Sequence, residues 1–174
     1  MFFVVEFIGV FAVLFIASGM RGVYEAADGN VLGVLFGSAN GSAWERSKLV
    51  SLAYIAFGAL ELILLKPPVT KFVFAKAVGV YALTATLPAL YLLSGVSGFC
   101  RWLELIAAVV GFSVSAVVAV RVKNTDSLLL PSALALLFMV IILFCLTVAP
   151  LHNAVFADPL TGLYGVIPTR MVVA

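Results

Sequence analysis

Apolar positions gather into five long blocks, separated by charges and by clusters of Pro, Gly and Asn that interrupt helices. The first block covers about 2–19 and is interrupted only by Glu6. The second opens at Trp44 as an amphipathic turn (44–65) and runs apolar from Leu49 to Leu65. It stops at Lys66-Pro67-Pro68, where two prolines cannot continue a helix. The third spans about 72–93, with Pro88 as an expected kink, and the fourth about 102–120. The fifth, about 128–148, is opened by Asp126 or Ser127 as a cap and by Pro131 in its first turn. About 20 apolar residues in a helix cross the hydrocarbon of a bilayer, so each block reads as one crossing. The tail, 149–174, is broken by Pro150, Pro159 and Pro168 and is expected to be non-helical or partly ordered. The fold class expected is therefore all-α: one integral-membrane domain over 1–174, a polytopic bundle of five transmembrane helices.

Composition narrows the picture. Of 174 residues, 64% are hydrophobic and 10% charged, against about 25% charged in a soluble domain, which excludes a water-soluble fold. A net charge of +2, dispersed along the chain, excludes a nucleic-acid footprint. Cys100 and Cys145 are too few for a disulfide scaffold and lack zinc-site spacing, so packing is their expected role. No Lys or Arg precedes the first apolar run and no Ala-x-Ala follows it, so the first segment is expected to stay as a helix.

Small residues mark close helix contacts. Ala107, Gly111, Ser115 and Ala119 form an i, i+4 row on the fourth helix, which reads as central to the bundle. The fifth has almost no polar atoms and is expected to face lipid on most sides. No internal repeat is visible and five crossings do not divide into matching halves, which disfavours inverted-repeat transport.

An odd number of crossings puts the first loop, the third loop and the tail on one side. Basic residues divide evenly: Lys66, Lys71, Lys76, Arg121 and Lys123 face Arg21, Arg46, Lys48, Arg101 and Arg170. The short second and fourth loops, basic close to helix ends, tip the balance towards a cytoplasmic N-terminus and an outer tail in the cytoplasmic membrane. Parity then collects an outer polar set: Arg21, Tyr24, Glu25, Asn40, Ser42, Glu45, Arg46, Arg101, Glu104, His152 and Asp158. An inner set, Glu6, Glu61 and Lys76, lies roughly a turn inside the other end of the bundle. Intramembrane charges cost about 2.5–3.5 kcal/mol each at a helix centre and usually pair, so a Glu–Lys cluster is expected there.

Within the outer set, Ser42-x-x-Glu45 is a capping box in which each side chain serves an unpaired amide, with Trp44 and Lys48 anchoring at the headgroups. The functional alternative has Glu45 and Arg46 pointing into a polar cavity beside Asn40. Asp158-Pro159-x-Thr161-Gly162 is turn chemistry. His152 is the only histidine, an acid, a base or one metal ligand among carboxylates. One histidine without nearby nitrogen or sulfur ligands makes a poor transition-metal site, so no metal or cofactor is expected. Arg101 and Glu104 are spaced i, i+3 for a salt bridge, although Glu104 could instead meet Arg46 or Arg21 from another element. Ser113 and Ser115 have no base nearby in sequence and signal no nucleophile.

Two strings, Asn40-Gly-Ser42-Ala-Trp44-Glu45-Arg46-Ser-Lys48-Leu49 and Phe156-Ala-Asp158-Pro159-Leu-Thr161-Gly162-Leu-Tyr164-Gly165, resemble an uncharacterised bacterial family of small multi-pass membrane proteins, a domain of unknown function. The family pattern carries Asn-x-Ser-x-Trp-Glu-His-x-Lys-Leu and a Phe-x-Asp-Pro-x-Thr-Gly-x-Tyr-Gly tail. Arg21 and Arg46 stand where that pattern has histidines. The histidine placement suggests a membrane-embedded metal enzyme. The resemblance then implies that this chain has lost or altered such chemistry and keeps a salt-bridged site of Arg21, Arg46, Glu45, Glu104 and Asp158, suited equally to an anionic headgroup.

Three readings follow. The leading one is a non-catalytic membrane protein whose outer cluster is structural or binds a lipid or partner. The second is an intramembrane enzyme on a lipid-like substrate, with Glu45 and His152 as acid–base candidates in one cavity. The third is a small transporter or channel with Glu6, Glu61, Lys76 and Glu104 along a polar route, which the apolar middles of helices one, two and five oppose. Expected partners are membrane lipid and a second copy or partner membrane subunit, not nucleic acid.

Overall fold

A computed structural model describes residues 2–94, 101–122 and 126–166. Its elements are α1 (Phe2–Met20), α2 (Val23–Ala26), α3 (Val31–Phe36), α4 (Ala43–Leu65), α5 (Val69–Ser94), α6 (Arg101–Arg121), a 3-10 turn (Asp126–Leu128) and α7 (Leu129–Val148). Five helices are long and apolar enough to span a bilayer, the first of them running on through α2. Their large apolar side chains point outward as well as inward: Phe7, Phe15, Ile63 and Leu130 are each at least two-thirds exposed. That is the pattern of helices solvated by lipid on one side and by each other on the other.

Element boundaries follow the breakers. α4 ends at Lys66, which takes a left-handed conformation (φ 47°) ahead of the two prolines. Pro88 lies inside α5 without ending it. The missing N–H at position 88 releases the Thr84 carbonyl one turn earlier, and the Ser47 hydroxyl of α4 donates to that carbonyl at 3.0 Å.

The most enclosed helix is α4, not α6. It packs against α1, α5, α6 and α7 and is buried at almost every position from Ala43 to Tyr54. The small-residue row of α6 makes the close helix contact expected of it, although α6 is not the most enclosed helix. Ala107, Gly111 and Ser115 are buried, and Gly111 lies so close to α5 that an added Cβ would sit 2.8 Å from the Leu83 Cβ and 3.1 Å from the Gly79 carbonyl oxygen. The row is thus occupied within the chain by α5. On α7 only the stripe Ser132, Met139, Leu143 and Thr147 is buried, as a lipid-facing helix requires. Cys145 on α7 is exposed and free, while Cys100, Lys123 and Arg170 lie outside the described residues.

Past α7 the chain is non-helical to residue 166. Together with the segment 21–42, which includes α2 and α3, it folds over one end of the bundle as a cap.

Candidate functional site

The cap is built from turn chemistry that the sequence announces. Asp158 accepts from the Leu160 amide (2.8 Å) through Oδ1, and Gly162, at φ +70°, donates its amide to the Asp158 carbonyl at 2.8 Å. The returning chain bridges Ala157 to Tyr164. Asp158 Oδ2 reaches the Gly41 amide at 3.4 Å, and the Asn40 side-chain amide donates to the Gly165 carbonyl at 2.7 Å. The Trp44 amide donates to the Val155 carbonyl (3.0 Å), and the Trp44 ring stacks on Phe156 with centroids 5.0 Å apart. These bonds join segments more than a hundred residues apart at the start of α4.

Only half of the expected capping box forms. Ser42 Oγ accepts from the Glu45 amide at 3.2 Å, but the Ser42 amide donates to Asn40 Oδ1 at 2.8 Å instead of to Glu45. The Glu45 carboxylate, 2% exposed, turns inward and is fully engaged. Its Oε2 accepts from the Ala39 amide (2.9 Å) and the Lys48 ammonium (2.8 Å), and its Oε1 from the Thr147 hydroxyl of α7 (2.8 Å). Lys48 also donates to the Val34 carbonyl at 2.8 Å and is wholly buried. The headgroup anchoring expected of Trp44 and Lys48 is therefore overturned: α3 and the tail cover both, which a reading of the second apolar block alone does not reveal.

Arg46 belongs to a separate centre. Glu104 receives Arg21 Nη2 on both carboxylate oxygens at 2.6 Å and Arg46 Nη1 on Oε1 at 3.3 Å, while Arg46 Nε donates to the Gly41 carbonyl at 3.2 Å. The two arginine side chains are 26% and 21% exposed and Glu104 only 5%. Arg101, exposed at the first position of α6, adds its positive charge to the field at the same carboxylate, three residues along the helix. Of the two expectations for Glu104, pairing across elements is found.

The remaining candidates are placed apart. Glu25 is exposed on α2 and joins none of these bonds. His152 is exposed on the cap, with its ring 4.9 Å from that of Tyr164. The structure does not bring His152 to Glu45.

At the opposite end, Glu6, Glu61 and Lys76 converge from α1, α4 and α5. Lys76 Nζ donates to both oxygens of Glu6 (3.1 and 3.0 Å) and lies 2.6 Å from Glu61 Oε2. Aromatic rings complete its shell, with Phe112, Tyr54 and Phe72 centroids 4.8, 5.1 and 5.4 Å from the ammonium.

Sequence reading found Glu61 but passed over the rest of its row on α4, Ser47, Ser51, Tyr54 and Gly58, which with Glu61 are spaced four, three, four and three residues apart and are all buried. That helical spacing was the available signal. Ser51 and Thr84 share a hydrogen bond of 2.7 Å, and Thr84 donates on to the Val80 carbonyl. The middle of α4 is thus not apolar all round, and its serines are committed to α5.

A family model covers residues 4–166 of the chain, nearly all that is described. The chain belongs to the Family of unknown function DUF6512. No curated protein and no solved structure matches it.

Proposed function

We propose that the protein is a non-catalytic membrane protein whose cap-end polar network holds the cap on the bundle and offers Arg21 and Arg46 to an anionic lipid headgroup. One observation carries the reading: every donor that Glu45 meets is structural, and its carboxylate is out of contact with solvent. A general acid or base works within hydrogen-bond reach of the proton it moves, and the groups within that reach of Glu45 belong to the protein itself. Glu45 instead ties the 38–42 loop, α4 and α7 together, and His152 lies on the outer surface of the cap. The headgroup reading rests on charge and exposure. Arg21 and Arg46, each partly exposed, meet one buried carboxylate at a membrane end of the bundle, and guanidinium matches phosphate geometry in a way imidazole does not. The cap faces outside the cytoplasmic membrane in this reading.

The test uses Glu45→Gln, which leaves Lys48 buried without its counter-charge, at a cost of about 3–5 kcal/mol. Hydrogen exchange over 150–166 is expected to accelerate, and adding Lys48→Met is expected to recover much of the loss. In nanodiscs, anionic lipid is expected to raise the unfolding temperature of wild type above its value in zwitterionic lipid, but not that of Arg21→Gln/Arg46→Gln. Unchanged protection in Glu45→Gln refutes the clamp. Equal stabilisation of wild type and the double variant refutes headgroup binding.

A further inference from the structure

The inner cluster contains two carboxylates and one ammonium, all buried: Glu6 and Glu61 are 4% and 3% exposed and Lys76 4%. The distances divide it unequally. Glu61 Oε2 makes the shortest ion pair, 2.6 Å from Lys76 Nζ, while Glu6 takes the same ammonium at 3.0 and 3.1 Å. Among the described residues no second cation pairs with either acid. Lys76 is therefore matched first by Glu61, and Glu6 carries the negative charge in excess. An ionisable group held inside the membrane without full compensation points to a ligand or a pathway.

That carboxylate lines a cavity. Between α1 and α6 runs a groove of about 590 Å³ in which Glu6 and Ser113 are the only polar residues of the lining, and Phe7, Phe11, Leu105, Val109 and Val117 are among its carbon walls. From Leu105 to Val117 the α6 wall is about 18 Å long at 1.5 Å per residue, against about 15 Å for half of the hydrocarbon core. A helix about 10 Å across would need about 1,400 Å³ over that length, so the groove suits one extended chain and not a helix. Glu6 is the first α1 residue of the lining, which puts the charge at the end of the slot away from the cap. Phe7 and Phe11 stand edge to face beside it, with centroids 5.4 Å apart, and Phe112, also in the lining, already lies 4.8 Å from the Lys76 ammonium. Such rings attract cations. The smaller cavity of about 160 Å³, bounded by α4, α5 and Leu136 of α7, is lined by Lys76 and by no acid. The cluster thus shows its ammonium to one cavity and its surplus carboxylate to the other.

We propose that the α1–α6 groove binds a single-chain alkylammonium amphipath, with its cationic head on Glu6 and its chain along the carbon walls. Charge selects the head. A cation cancels the surplus of two carboxylates over one ammonium, a neutral head leaves it, and a phosphate-bearing headgroup adds a negative charge where the one cation is already shared by two acids. Shape selects the tail, since the slot has the length of one leaflet and the volume of a single chain. The inference is independent of the role proposed for the cap.

Photolabelling of the purified full chain in phosphatidylcholine nanodiscs tests it, with a diazirine-bearing hexadecyltrimethylammonium and the matching diazirine-bearing hexadecanol as probes. Peptide mapping is expected to place the ammonium label within 6–11 and 105–117. Glu6→Gln keeps the Lys76–Glu61 pair and leaves the cluster balanced, and it is expected to lower that yield at least about tenfold while changing the yield of the alcohol by less than about twofold. Ser113→Phe, at an exposed position of the lining, fills the groove without touching the charge and is expected to abolish labelling there by both probes. Replacing part of the phosphatidylcholine by phosphatidylethanolamine is expected to leave the ammonium yield unchanged. Equal labelling of wild type by the two probes, undiminished ammonium labelling in Glu6→Gln, survival of the label in Ser113→Phe, or displacement by phosphatidylethanolamine would each overturn the proposal. Should Glu6→Gln fail to fold, the comparison of probes in wild type and the Ser113→Phe variant still decide it.

Discussion

The bond from Ser47 to the Thr84 carbonyl makes a quantitative claim. An interior proline deletes the amide that would serve the carbonyl four residues back, and in lipid no water replaces it. Thr84 is 7% exposed and Ser47 is fully buried, so Ser47→Ala leaves a buried carbonyl without its donor. Such a group costs about 1–3 kcal/mol, while measured interhelical bonds in membranes average about 0.6 and reach about 1.7. We expect about 1–2 kcal/mol for Ser47→Ala. Pro88→Ala restores the amide, which then takes the carbonyl along the helix. In that background Ser47→Ala is expected to cost less than about 0.5 kcal/mol, giving a coupling of about 1 kcal/mol. A double-mutant cycle by reversible unfolding in mixed micelles of increasing SDS fraction reads this directly. Equal costs of Ser47→Ala in the two backgrounds would refute the view that the serine stands in for the missing amide.

Two further outcomes are expected. Gly111→Ala inserts a methyl 2.8 Å from the Leu83 Cβ, so it should separate α5 from α6 and lower stability by about 1–3 kcal/mol, whereas Gly19→Ala, which meets open space, should not; similar thermal midpoints for the two variants would contradict the close approach. A Leu160→Cys chain lacking Cys100 and Cys145 presents a thiol at a cap position 92% exposed. It should react with a membrane-impermeant reagent on intact cells, and labelling only after lysis would reverse the orientation.

The five crossings were legible because hydropathy blocks of about 20 residues and proline pairs are local signals, and the observed helices begin and end within about three residues of the expected bounds. Parity placed Arg21, Arg46 and Glu104 at one end and left their pairing as one alternative, because the choice depends on how the helices are rotated about their axes. The misreading of Lys48 has the same origin. A lysine four residues after a tryptophan at a helix start looks interfacial until a segment distant in sequence covers it. α6 looked central because small residues allow close contact; they signal one intimate neighbour, and it is α4, with larger side chains, that touches four helices. The hydroxyl row of α4 was hidden because isolated serines barely lower a hydropathy average.

The engagement of Glu45 by Thr147 has a consequence for biosynthesis. The two residues are 102 positions apart, so at about 5–20 residues per second the ribosome takes about 5–20 s to deliver the threonine after the glutamate. Throughout that interval the nascent second crossing carries a carboxylate and an ammonium with no distant partner yet made. Lys48, three residues from Glu45 on the same helix, is the counter-charge that the folded chain gives it, and it is synthesised within the same turn. The local pair therefore needs no later element: both of its members are present once α4 is made, and Thr147 adds its bond to Glu45 when α7 arrives.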